Sequence, residues 1–182
     1  MKSSFDPSRL DVVDFAREGV TLDTSDSMAN FPRLAAEASA PTDGRLVRWS
    51  ATGESRASAG RTAQPWLHLQ AQAALPMTCQ RCLEPVDVAL AVDRRFRFVV
   101  GEDAAAAEDE DAEEDVLALT PAFNLGKLVE DELLMALPVV PTHEQCPVKV
   151  KLAVADPGFD ASLEAAESPF AALERLRSPK KS

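Results

Sequence analysis

The chain has 182 residues, 46% hydrophobic and 27% charged, which suits one soluble globular domain with flexible tails. Its net charge of −11 speaks against nucleic-acid binding driven by overall charge. The beginning, Met1-Lys2-Ser3-Ser4-Phe5-Asp6-Pro7, lacks an apolar signal core, and the most apolar stretch, Leu133 to Val140, is short and broken by Pro138; the expectation is a cytoplasmic protein, neither secreted nor membrane-spanning.

In chain order, Leu10 to Phe15 and Val20 to Asp23 read as short strands around Gly19, and Phe31 to Ala38 as a short helix with Pro32 in its first turn. Leu46 to Ser50 predicts a strand, followed by a turn at Thr52-Gly53-Glu54 and a weaker strand reaching about Arg61. From Trp66 to Leu75 the pattern alternates, with Leu67, Leu69, Ala71, Ala73 and Leu75 on one parity and His68, Gln70 and Gln72 on the other. A second alternating run, interrupted by Arg94, carries Val86, Val88, Leu90, Val92, Phe96, Phe98 and Val100. Together they predict a long antiparallel hairpin bounded by Pro76 and Pro85, with Cys79 and Cys82 at its tip.

The acidity is local. From Glu102 to Asp115 the chain has nine acids and no base. Among small alanines these like charges predict a disordered acidic loop over 102–115, dispensable for folding. Between Arg45 and Arg97, by contrast, arginines outnumber acids.

After this segment a strand is expected at Val116 to Leu119, then a helix capped by Asn124 and running to about Ala136. Leu125, Leu128, Val129, Leu133 and Ala136 make its apolar stripe, with Lys127, Glu130 and Asp131 opposite. Glu132 falls within the stripe. Either it meets a basic partner, Arg81 or Arg94 first, or the helix is rotated enough for it to reach water. A tail over 156–182 has a helical pattern from Leu163 to Leu176, of the kind that docks on its own domain or on a partner.

The chemistry-bearing residues are few. Cys79, Cys82 and Cys146 are all the cysteines, an odd number that fits a reducing cytoplasm better than a disulfide framework. Cys79-Gln80-Arg81-Cys82 can converge two thiolates on one ion, and His143-Glu144-Gln145-Cys146 can add a nitrogen and a third sulfur. That set would hold a structural zinc, closed to substrate. The same residues also read as packed thiols at a turn, or as a redox pair lacking the βαβ context of a thioredoxin-like enzyme. No glycine-rich phosphate loop or local nucleophile signature is present, and His68 reads most simply as a solvated residue. Arg95 and Arg97 point away from Phe96 and Phe98 in a strand, so the aromatics enter the core while a basic rim stays available to phosphates.

Cys79-Gln80-Arg81-Cys82-Leu83-Glu84-Pro85-Val86, the run from Leu128 to Pro141 with His143 and Cys146, and the ending Ser168-Pro169-Phe170-Ala171-Ala172-Leu173-Glu174-Arg175-Leu176 resemble the bacterial YceD family, the large ribosomal RNA subunit accumulation proteins. The resemblance implies a cytoplasmic, non-enzymatic factor in synthesis, processing or stability of 23S ribosomal RNA and in large-subunit biogenesis. Its partner is then 23S rRNA or its precursor, reached directly or through ribosomal proteins or assembly factors, with no membrane.

The expected architecture is one YceD-like α+β domain over 1–182: an antiparallel sheet, strongly curled or barrel-like, a packed helix, the acidic loop 102–115 and the C-terminal tail 156–182. Two other functions stay open: an acidic protein holding a basic ribosomal protein, and a thiol oxidoreductase acting through Cys79 and Cys82.

Overall fold

A computed structural model of the chain describes residues 5–57 and 63–149. The chain divides into two units, Met1–Val148 and Lys149–Ser182, and every helix and strand described belongs to the first. The tail expected over 156–182 lies outside the described residues.

The fold is α+β, built on one sheet of five strands in the order β1-β2-β3-β4-β5: β1 (Thr21–Ser27), β2 (Leu46–Arg56), β3 (Gln64–Thr78), β4 (Pro85–Val99) and β5 (Asp115–Ala118). Neighbours among the first four pair antiparallel, whereas β5 joins β4 in parallel. β1 and β5 form two edges, so the sheet is open and not a closed barrel.

The alternation in β3 and β4 places Leu67, Leu69, Leu75, Leu90, Phe96 and Phe98 in the core. On that face lie α1 (Val12–Glu18), α2 (Pro32–Ala36) and α4 (Leu125–Met135), which contribute Phe15, Leu34, Leu125, Val129 and Leu133. Burying these aliphatic and aromatic side chains stabilises each by roughly 1.5–3 kcal/mol before chain entropy is counted. No described helix is long and apolar enough to cross a membrane.

Three local expectations change. The strand expected over Leu10 to Phe15 is largely helix α1, because Asp11 accepts from the Asp14 N–H at its start and Gly19, at φ 61°, closes its end. β2 runs unbroken through Gly53, where no turn forms. A Cβ there would stand 2.5 Å from the Phe15 carbonyl oxygen, so the glycine lets α1 lie directly on the strand. Pro76 does not end β3; it continues in register opposite Asp87, and its carbonyl accepts from the Ser39 N–H at 2.8 Å.

The acidic segment is a loop only over residues 110–114. Glu102–Asp109 form helix α3, which packs with β4 and β5 around a small separate cluster of Val99, Ala105 and Val116. Arg97 supplies what the composition concealed: its side chain, only 9% exposed, bridges Glu108 and Glu114. The Asp109 carboxylate further accepts from the Val116 N–H at 2.8 Å, tying α3 to β5. Opposite charges from the strand thus offset the like-charge repulsion that argued for disorder.

The face of α4 is also broader than its apolar stripe. Asn124 caps the helix through the Lys127 N–H, at 2.9 Å, as expected. Glu130, expected in solvent, is 5% exposed because α2 covers it. Its carboxylate accepts from the backbone N–H of Arg33 at 2.7 Å and of Leu34 at 3.3 Å, and from the Arg33 guanidinium at 2.9 Å. Phe31 offers no capping side chain at the start of α2, so Glu130 caps that helix from across the core. Glu132 is buried as well. Burial pushes its pKa up, against the attraction of nearby Arg94, whose guanidinium is bound to Asp115.

Candidate metal centre

The β3–β4 hairpin carries Cys79 to Glu84 at its tip. The Leu83 N–H donates to the Cys79 carbonyl at 2.8 Å and the Cys79 N–H to that of Glu84 at 3.0 Å, a closure that needs Leu83 in the left-handed region at φ 64°. The tightened turn brings Cys79 and Cys82 together. The segment after α4 is latched to the same tip: the Gln80 N–H donates to the Pro141 carbonyl at 2.9 Å, and Arg81 donates to the carbonyls of His143 and Glu144.

This clamp spans the long sequence gap between Cys82 and His143. The ligand atoms of Cys79, Cys82, His143 and Cys146 all lie within 4.8 Å of one another. Cys79 Sγ and Cys146 Sγ are 4.0 Å apart, and Cys82 Sγ is 3.4 Å from His143 Nδ1. Four ligands at zinc distances on the corners of a tetrahedron stand about 3.8 Å apart for two sulfurs and about 3.5 Å for sulfur and nitrogen. The donor set therefore fits zinc in both chemistry and spacing. A sulfur separation of 4.0 Å is about twice an S–S bond, and all three thiols are free.

The surroundings favour ligation. His143 Nε2 stands 3.0 Å from the Pro85 carbonyl, which can only accept, so Nε2 carries a proton and Nδ1 is the ring atom left facing the sulfurs. Burial pushes the Cys79 thiol up, but the backbone N–H groups of His143, Cys82 and Arg81 outweigh it and bring the pKa down to about 5. Cys146 goes the other way, to about 11, through burial, hydrogen bonding with Cys82 and Cys79, and the nearby Cys79 charge. Crowded sulfurs that cannot all ionise side by side are a site that a cation would relieve. The pair sits in a hairpin turn, away from the helix N-terminus that activates a thioredoxin-like thiolate.

Elsewhere the expected basic rim is largely paired. Arg94 binds Asp115, Arg97 binds Glu108 and Glu114, and Arg45 binds Asp87 at 2.8 Å. His68 is not simply solvated, since its Nε2 stands 2.6 Å from Asp93 Oδ1. Sequence reasoning missed the stacking of Arg56 over Trp66, with Cζ 4.4 Å from the ring centroid; the β2–β3 register, which places Glu54 rather than Arg56 opposite Trp66, leaves it invisible to pattern.

A family model described as large ribosomal RNA subunit accumulation protein YceD matches residues 67–177, well over half of the chain. The chain belongs to the YceD family. The matched span contains the hairpin tip, α4 and all four candidate ligands, and membership places the chain in ribosome biogenesis at the level of the large subunit. No curated protein and no solved structure matches this YceD-family chain.

Proposed function

We propose that this YceD-family chain is a non-enzymatic cytoplasmic factor that supports synthesis, processing or stability of 23S ribosomal RNA during large-subunit biogenesis. The family match over residues 67–177 carries the reading. The chain acts by binding, and its partner is 23S rRNA or its precursor, met directly or through ribosomal proteins or assembly factors.

A structural zinc held by Cys79, Cys82, Cys146 and Nδ1 of His143 would staple the hairpin tip to the chain leaving α4. Four protein ligands leave no position for a reacting water, which supports a scaffold over a hydrolase. Arg81 and Gln80 hold the two ligand pairs in register, and Pro85 holds the imidazole tautomer.

Crosslinking the protein in growing cells and identifying what is attached tests the adapter reading. Large-subunit RNA fragments, or proteins of large-subunit precursors, are expected. A single basic protein outside such particles would favour the holder function instead, and mixed disulfides through Cys79 or Cys82 would favour an oxidoreductase.

A further inference from the structure

We propose that α3 and β5 form an acidic strap that mimics the phosphates of single-stranded RNA and masks a cation-aromatic RNA contact on β2, β3 and β4. This rests on the reading of the chain as a factor for ribosomal RNA and adds the surface and its regulation. A cleft of about 370 Å³ opens between two unlike walls. One wall carries the stacked Arg56 and Trp66 with Arg94, Arg95 and a single acid, Asp93, and Arg56 is also held by Glu54 of its own strand at 2.5 Å; the other carries Glu113, Glu114 and Asp115 from the strap.

The strap's hold is mostly electrostatic. The Arg97 Nε donates to Glu114 Oε1 at 2.7 Å, its Nη1 reaches Glu108, and Arg94 reaches Asp115. Each carboxylate thus occupies a guanidinium fork that a phosphate oxygen also fits. Apolar support of α3 is slight, because Ala105 is its one buried residue and the cluster beneath it is Val99, Ala105 and Val116 with Ala112 and Ala118 against them, whereas Leu117 ties β5 to the main core. β5 adds four residues of parallel pairing at the edge of the sheet. Loosening α3 and the chain that leads from it into β5, while β5 stays in the sheet, exchanges carboxylates for phosphates at little cost in buried surface.

The aromatic component selects the partner class. A tryptophan ring beside arginines suits an unpaired base with its flanking phosphates, the base taking the face that the Arg56 guanidinium covers in the free chain, the combination by which single strands are held. An acidic peptide would exploit the charge but not the ring.

The test uses the full chain, a labelled single-stranded RNA oligonucleotide and fluorescence anisotropy over a salt series. Neutralising the strap with Glu108→Gln, Glu114→Gln and Asp115→Asn should tighten binding by about tenfold at low salt, as competing charges leave the phosphate contacts. Adding Trp66→Ala to that background should reverse most of the gain. Unchanged affinity on neutralisation overturns the proposal, as does a gain that survives Trp66→Ala or is matched by polyglutamate.

Neutralisation strands the Arg97 charge, so the wild-type chain provides a check free of any folding defect. Saturating RNA should speed hydrogen exchange of backbone amides in α3 and in the chain that leads from it into β5. Protection that stays the same, or that is lost to a basic peptide and not to RNA, overturns the strap. Failure of these measurements on purified chain leaves association with large-subunit precursors in cells untouched, so the two readings fail separately.

Discussion

Cys79→Ser is expected to remove about one zinc ion per chain and to lower the melting temperature by roughly 10 °C, the scale of a structural metal lost from a domain that keeps its own core. Cys79 is fully buried, and its sulfur accepts the His143 N–H at 3.4 Å while facing Cys146, so the serine oxygen leaves both poorly met. Cys82→Ser, His143→Ala and Cys146→Ser should lower metal content and thermal stability together, and a chelator should do the same to the unaltered chain. Elemental analysis alongside thermal melts reads both quantities. Metal-free protein melting at the same temperature would leave the thiols as packing.

Glu130→Gln is expected to cost about 2–3 kcal/mol in denaturant titrations, because the amide cannot serve the Arg33 and Leu34 N–H groups and the guanidinium at once. Partial exposure of the Arg33 side chain, 52%, keeps the loss below that of a fully buried pair. Glu132→Gln should behave oppositely. Its carboxyl titrates above the usual range, so the folded state favours the protonated form; that contribution is complete below the unfolded pKa and is lost as pH rises through the folded one. Removing the charge should therefore stabilise the chain at pH 7 and have little effect at acid pH. Equal effects of the two substitutions at neutral pH would contradict the packing of α2 on α4.

That reversal marks where pattern reading stops. The hairpin, the Asn124 cap and the gathering of the four candidate ligands were legible because each depends on local periodicity, a capping side chain or metal-ligand spacing. The burial of Glu130 depends on a second helix lying alongside α4, which a single helical stripe cannot reveal; the missing cap before Pro32 was the available hint. Composition likewise suggested a disordered acidic loop, whereas Arg97 emerges beneath it from β4 and supplies the partner charge. At the candidate metal centre the spacing suggested the four side chains, but only the clamp by Gln80 and Arg81 closes the distance between the two pairs.

The most direct measurement is the amount of 23S rRNA and its precursors, relative to small-subunit RNA, in cells depleted of this protein. The account predicts a selective fall in the large-subunit RNA that the unaltered chain restores and Cys79→Ser restores less well; an unchanged ratio on depletion would contradict it.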